Sequence, residues 1–100
     1  MSAPAQLPRW SQDALSSVAL AGAELFEGTS GEGPLLAYAE GEDQGNRFYS
    51  ALYLGLYREA SGDEAGARKF IKASLDTRYA QQSGDYMADL ARVHVKRRGW

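Results

Sequence analysis

The sequence predicts a small all-α protein, and three observations support this. The chain has 100 residues, the size of one domain. Apolar residues recur every three or four positions in its longer segments, without the alternation typical of strands. Glycine, proline and aspartate separate these segments at helix-like intervals. We therefore predict a bundle of about five helices. The predicted helices cover residues 11–27, 34–40, 47–61, 64–75 and 83–98.

The N-terminal part combines a tail with the first helix. Residues 1–10 hold two prolines and little periodicity, so we predict a disordered or partner-ordered tail before a single domain at 11–100. Ser11 is a good N-cap, and Trp10 and Leu15 are placed to form a hydrophobic staple across it. Gly28 should end the helix. Its predicted apolar stripe is Leu15, Val18, Ala19, Gly22, Leu25 and Phe26.

The second helix is short and the third is central. Pro34 fits the first position of a helix that Gly41 ends, and Asn46 is the predicted N-cap of the helix that follows. Apolar side chains cover nearly the whole circumference of the third helix, which predicts burial between neighbours. Gly55 lowers its helix propensity by roughly 1 kcal/mol relative to alanine, so we expect another helix to pass close to it.

Two further helices complete the bundle. Gly62 closes the third helix and Asp63 caps the fourth. We predict a linker at 76–82 and a last helix that begins at Ser83 or Gly84. Basic residues in the final turn of that helix oppose the negative end of its dipole. Its predicted inner stripe is Tyr86, Met87, Leu90, Val93 and His94.

The stretch LYLGLYREASGDEAGARKFIKASL, residues 52–75, resembles one tetratricopeptide repeat. The resemblance rests on a Leu-Gly pair in one helix, a Gly-Asp turn, and alanine and large apolar residues in the next. The matching residues are Leu54, Gly55, Gly62, Asp63, Ala67, Ile71, Ser74 and Leu75. Two positions depart from the pattern: Ala51 replaces the usual aromatic residue, and Arg58 replaces the expected tyrosine. No second full repeat follows, so the other helices resemble caps around a single TPR-like hairpin.

Composition and motifs argue against catalysis. The chain has no cysteine and one histidine, His94, which excludes thiolate chemistry and disfavours zinc. The acidic loop at 40–43 lacks the spacing of a calcium loop, and the glycines near 28–33 lack the lysine of a phosphate loop. We therefore expect no enzyme activity, no metal, no cofactor and no small-molecule substrate.

The charge is balanced overall but unevenly distributed. The net charge is −2, with an acidic excess in residues 1–50 and a basic excess in residues 51–100. This asymmetry either steers a partner or reflects differing solvated helix faces. Neither nucleic-acid binding nor membrane insertion is expected, because the basic last helix lacks a stacking platform and no apolar run is long enough. We expect an intracellular soluble protein, in the cytoplasm or, after removal of a presequence, in an organelle matrix or stroma.

A tyrosine stripe is the main candidate site. Tyr49, Tyr53 and Tyr57 recur every four residues, and tyrosine is enriched at interfaces. The resemblance implies that this helix lines a groove for a peptide, whereas the stripe is core if the N-terminal helices cover it. Both interpretations remain open. The candidate partner-binding residues are Tyr49, Leu52, Tyr53, Leu56, Tyr57, Glu59, Arg97, Arg98 and Trp100.

These observations predict a protein that works by binding another protein. The first hypothesis is an adaptor or assembly factor that docks a partner through a TPR-like surface. The alternative is a permanent structural subunit of a large complex, such as a ribonucleoprotein or photosynthetic assembly. The two hypotheses differ in whether the free chain is stable and monodisperse.

Overall fold

A computed structural model describes the backbone of residues 9–100 and the side chains from Ser17 onward. This part of the chain is all-α, as predicted, and contains no strand. Its helices are α1 (Arg9–Glu27), α2 (Gly33–Ala39), α3 (Gln44–Ala60), α4 (Glu64–Leu75), α5 (Arg78–Gln82) and α6 (Tyr86–Arg98). Most of the predicted N-terminal tail lies outside the described residues.

Helix α1 begins at Arg9, two residues before the predicted N-cap at Ser11. The side chains of the predicted cap and staple lie outside the described ones. At the other end, Gly28 ends the helix as predicted. It adopts φ +81°, and its amide donates to the Leu25 carbonyl while the Thr29 amide donates to the Glu24 carbonyl. Glycine is favoured here because this C-terminal motif requires a left-handed residue.

Helix α3 begins earlier than the sequence indicated. The predicted cap, Asn46, is wrong: Asp43 caps the helix, and its Oδ1 accepts from the Asn46 amide at 2.9 Å. Aspartate and asparagine cap helices about equally well, so the residue types alone do not distinguish the two positions. The predicted turn into α4 is confirmed, with Gly62 at φ +88° and Asp63 Oδ1 accepting from the Gly66 amide at 2.9 Å.

The predicted linker at 76–82 contains a short helix, α5. Its N-cap is Thr77, whose Oγ1 accepts from the Ala80 amide at 3.1 Å. Helix α6 starts at Tyr86 behind Asp85, not at Ser83 or Gly84. The segment RYAQQ carries no apolar periodicity of its own, so only burial of Tyr79 and Ala80 reveals why it is helical.

Helices α3 and α4 form an antiparallel hairpin at the centre of the structure. Gly55 of α3 lies against α4: a Cβ at this position would overlap Ile71 Cγ1 and lie 3.2 Å from the Ala67 carbonyl oxygen. The two helices approach so closely here that α3 has no room for a side chain at Gly55. The predicted close contact at Gly55 is therefore present.

Helices α1 and α6 flank α3 and run in its direction. On one side, Gly22 of α1 lies against the ring of Tyr53, and Phe26 packs edge to face on Tyr57 at 5.6 Å between ring centroids. On the other side, Asp85 contacts Tyr49 at the start of α3, and His94 contacts Glu59 near its end. α2 packs against α1 and α3, whereas α4 packs against α3 and α6.

Arg58 ties the hairpin to the segment before α2. Its Nε and Nη2 donate to the two carboxylate oxygens of Glu32 at 2.7 and 2.8 Å, and its Nη1 donates to Asp63 Oδ2 at 2.7 Å. Its guanidinium also lies 5.5 Å from the centre of the Phe70 ring. The bond from Arg58 lowers the pKa of Glu32; the Gly66 amide and then Arg58 lower that of Asp63. Arginine suits this position because its planar donors bind carboxylates bidentately.

Burial corrects two predicted apolar stripes. On α1, the inward residues include Ala21, whereas Ala19 is exposed and Phe26 is 50% exposed. On α6, the buried residues are Ala88 and Ala91. The predicted inner stripe is wrong for its larger members, since Tyr86, Leu90 and Val93 are 70%, 41% and 50% exposed. α6 presents small residues to the protein because its backbone packs close to α4.

We predict that Gly55→Leu destabilises the protein by at least about 1–3 kcal/mol, because the new side chain must displace Ile71 or the α4 backbone. The matched control is Gly31→Leu, where an added Cβ meets nothing within 4 Å. Thermal melting followed by circular dichroism compares the two. Equal midpoints for both variants and the wild type would contradict the close contact.

Candidate functional site

A shallow apolar groove runs between α3 and α6. Its volume is about 180 Å³. The lining residues are Leu52, Leu56, Met87, Leu90, Ala91 and His94. α6 packs against α4, and its buried residues are Ala88 and Ala91, of which Ala91 also lines the groove. Leu52 forms a buried floor, while Leu56 and Met87 are half-buried and Leu90 is exposed. The groove therefore offers apolar surface to solvent.

A buried polar network lies at the start of α6. The Tyr49 hydroxyl donates to Asp85 Oδ2 at 2.6 Å, and the Tyr79 hydroxyl donates to the same oxygen. The other oxygen, Oδ1, accepts from the Met87 amide at 2.8 Å. This carboxylate joins α3, α5 and α6 at one point. These hydrogen bonds connect α3 to the start of α6 at one end of the groove.

The electrostatics of this network follow from its hydrogen bonds. Burial alone would raise the pKa of Asp85, but the donors of Tyr49, Tyr79 and Met87 outweigh it, and the pKa lies below its ordinary value. Burial, followed by the bond to Asp85, raises the pKa of Tyr49, so its phenol stays protonated and remains a donor. At neutral pH the network thus pairs a carboxylate with two neutral phenols.

A second cluster lies at the other end of the groove. Glu59 Oε2 is 2.6 Å from Arg98 Nε, and Glu59 Oε1 is 2.9 Å from His94 Nε2, a short contact without hydrogen-bond geometry. The imidazole meets the Trp100 ring edge to face at 5.7 Å between centroids. Lys72 Nζ donates to the Trp100 carbonyl at 3.3 Å. The structure thus brings together three predicted residues, Glu59, Arg98 and Trp100.

The tyrosine stripe divides between core and surface. Tyr49 and Leu52 are 8% and 3% exposed, so these two candidates belong to the core and offer a partner almost no surface. α1 covers Tyr53, and burial raises the pKa of its phenol. Tyr57 is half-buried against Phe26. Helix α1 therefore lies against Tyr53 and Tyr57, whereas Tyr49 is buried against Tyr79 of α5 and Asp85 before α6.

The groove wall from α6 was not identified by sequence reasoning. The sequence predicted Met87, Leu90 and His94 on an inner stripe, but the buried residues of α6 are Ala88 and Ala91, and Met87 is only partly buried against the core. Two alanines three residues apart were the available signal, because small residues at that spacing mark a close helix contact. Arg97, also a candidate, lies exposed on α6 away from the Glu59 cluster.

Other surface depressions combine polar and apolar lining. One, of about 420 Å³, lies between the start of α3 and α5, and its lining residues include Glu42, Gln44, Arg78 and Tyr79. Another, of about 230 Å³, lies between α2, α3 and α4 and is lined by residues that include Leu36 and Phe70. Among the described side chains, from Ser17 onward, no three His, Cys, Asp or Glu residues cluster as metal ligands would. The same residues include no helix with the length and hydropathy to span a membrane.

Comparison with known proteins gives no relative. No protein-family model, no curated protein and no solved structure matches the chain.

We predict that Tyr49→Phe lowers the free energy of unfolding at pH 7 by about 1.5–3 kcal/mol, because it removes a bond to a charged group. The pKa of Asp85 is lower in the folded protein than in the unfolded chain, where it is about 3.9. The ionised carboxylate therefore stabilises the fold fully above that pH, and the stabilisation is lost as the pH falls through the folded-state pKa. The gap between variant and wild type should therefore shrink below about pH 4.

Urea unfolding at several pH values measures this gap. Tyr86→Phe is the matched control, since Tyr86 is 70% exposed and its hydroxyl is not part of the network. A gap that stays constant from pH 7 to acid would mean that Tyr49 stabilises by packing alone.

Proposed function

We propose that this protein is a non-catalytic interaction module, and that the groove between α3 and α6 receives a segment of a partner protein. The observation that carries the proposal is the open apolar groove itself. Its walls include Leu56 and Met87, and Leu90 is 41% exposed at its rim. A folded domain that leaves contiguous apolar surface in a concave site commonly uses it for binding.

Polar contacts at both ends of the groove support this role. The Asp85 network holds its start, and the contacts of Glu59 with His94 and Arg98 hold its end. A groove whose walls are already fixed costs a ligand less ordering free energy than one that must form on binding. Both fixed points join α3 to α6, the two walls.

The charges around the groove favour a protein segment with an acidic end. Lys96, Arg97 and Arg98 are exposed near the end of α6. A partner segment with apolar anchors along the groove and carboxylates beside this turn would be complementary to it. Small apolar molecules would use the groove but gain nothing from the basic turn.

The resemblance to a tetratricopeptide repeat agrees with this placement. It assigns α3 and α4 as the two helices of one unit, and implies that the first of these lines the ligand groove. α6 runs beside α3 in the same direction, as the first helix of a following unit would. The groove between these helices is then where the resemblance puts a bound peptide.

We predict that the double variant Leu56→Gln and Met87→Gln loses the specific partner of the wild-type protein. Glutamine preserves much of the side-chain volume but removes the apolar anchor surface that dominates binding energy. Affinity should fall by a factor of about 10 or more. Tagged wild-type and variant proteins are used to capture partners, and quantitative mass spectrometry compares the amount of each captured protein. The affinity of a captured partner is then measured by titrating the purified partner with each purified variant.

Leu36→Gln is the matched control, since Leu36 is also half-buried but lines the separate depression between α2, α3 and α4. It should retain the partner. Partner loss in the control alone would move the binding site to that depression. If no captured protein depends on either position while both variants melt like the wild type, the proposed function is wrong.

A further inference from the structure

The depression between the start of α3 and α5 has the size of a small-molecule site. Its volume is about 420 Å³, and pockets that hold small ligands commonly measure about 300–1,000 Å³. It shares no lining residue with the groove between α3 and α6, so what it binds is independent of the proposed function. Its walls come from residues 42–44 and 78–83, which are distant in the chain. The sequence alone therefore gives no sign of this cavity.

Charges of opposite sign line the cavity from its two sides. Glu42 and Asp43 line it from the segment before α3, and Arg78 lines it from α5. Asp43 Oδ1 accepts from the Asn46 amide at 2.9 Å. Within the part of the chain whose side chains are described, neither the Glu42 carboxylate nor the Arg78 guanidinium forms a hydrogen bond or an ion pair. Both groups are therefore available to a ligand that lies between them.

The two sides of the cavity are joined to each other and to a buried ring. Gln44 Oε1 accepts from the Arg78 amide at 2.8 Å, which connects the start of α3 to α5. Tyr79 lines the cavity although it is only 5% exposed, and its ring packs on Phe48 at 5.2 Å between ring centroids. A site whose walls are already joined costs a ligand less ordering free energy than one that must form on binding.

We propose that this cavity binds a small zwitterion, either a free amino acid or a dipeptide, with uncharged side chains. The ligand's carboxylate accepts from Arg78, whose planar guanidinium can donate two parallel hydrogen bonds to it. Its ammonium donates to the carboxylates of Glu42 and Asp43. A simple anion would meet two carboxylates and a simple cation would meet Arg78, so neither complements both sides of the cavity. An uncharged side chain adds no third charge and can pack on the Tyr79 ring.

Nuclear magnetic resonance titration tests the binding. The ¹⁵N-labelled protein is titrated to millimolar concentration with each free amino acid that has an uncharged side chain, and with the dipeptide leucyl-leucine. At least one of these ligands should produce saturable shifts of the backbone amides at 42–44 and 78–83. Tighter binding of the dipeptide than of free leucine would identify the dipeptide as the ligand, and the reverse order would identify the amino acid. The absence of saturable shifts with every ligand would overturn the proposal.

Ligand derivatives and a charge variant test the contacts. The tightest ligand is compared with its C-terminal amide, which lacks the carboxylate, and with its N-acetyl derivative, which lacks the ammonium. Each change should weaken binding to the wild-type protein by a factor of about 10 or more, because it removes a charge-assisted pair. Arg78→Met should weaken binding of the zwitterion by a similar factor but leave binding of the amide nearly unchanged, because the amide has no carboxylate for Arg78 to bind.

Arg68→Met is the matched control, since Arg68 is exposed on α4 and does not line the cavity. It should bind the zwitterion like the wild-type protein, and so should the double groove variant. Equal affinities for the zwitterion and its two derivatives would contradict the charge pairs, and equal losses in Arg78→Met and Arg68→Met would place the ligand elsewhere. Circular dichroism of each variant checks that its fold is retained.

Discussion

The close approach of α3 and α4 at Gly55 is the constraint on which the rest of this structure depends. Without a side chain at Gly55, Ile71 and the Ala67 backbone reach the surface of α3. The hairpin can then present its other faces to α1, α2 and α6 at normal packing distances. A larger residue would separate the two central helices, and every helix that packs on both would lose complementarity.

Polar contacts connect the central α3–α4 hairpin to the surrounding segments. Arg58 joins α3 to the segment before α2 and to the start of α4, while Asp85 joins α3 to α5 and α6. The Arg58–Glu32 and Tyr49–Asp85 contacts link residues that are 26 and 36 positions apart in the sequence. In a domain of this size the apolar core is small, so such links help to select one arrangement of helices. The Asp85 contacts also connect α3 and α6, the two walls of the groove, at one of its ends.

Helix α6 has two apolar surfaces with different surroundings. One lines the groove with α3, and the other is the open stripe of Tyr86, Leu90 and Val93. Both follow from packing through Ala88 and Ala91, since small residues bring the backbone close to α4 and leave the large side chains outside. The groove and the open stripe therefore both result from the burial of Ala88 and Ala91.

The sequence by itself determined the fold class, most of the helices, and the turns at Gly28 and Gly62, because periodicity and capping chemistry are local properties. It also located the close contact at Gly55. Tertiary structure decided which side of each helix is buried. α6 offered a stripe of large apolar residues and a pair of alanines, and only the proximity of α4 shows that the alanines face inward. The contact between Tyr49 and Asp85 was also decided by the tertiary structure, because a hydrogen bond between residues 36 positions apart leaves no periodic signal in the chain. The short helix α5 was missed because its buried residues, Tyr79 and Ala80, form no apolar periodicity of their own.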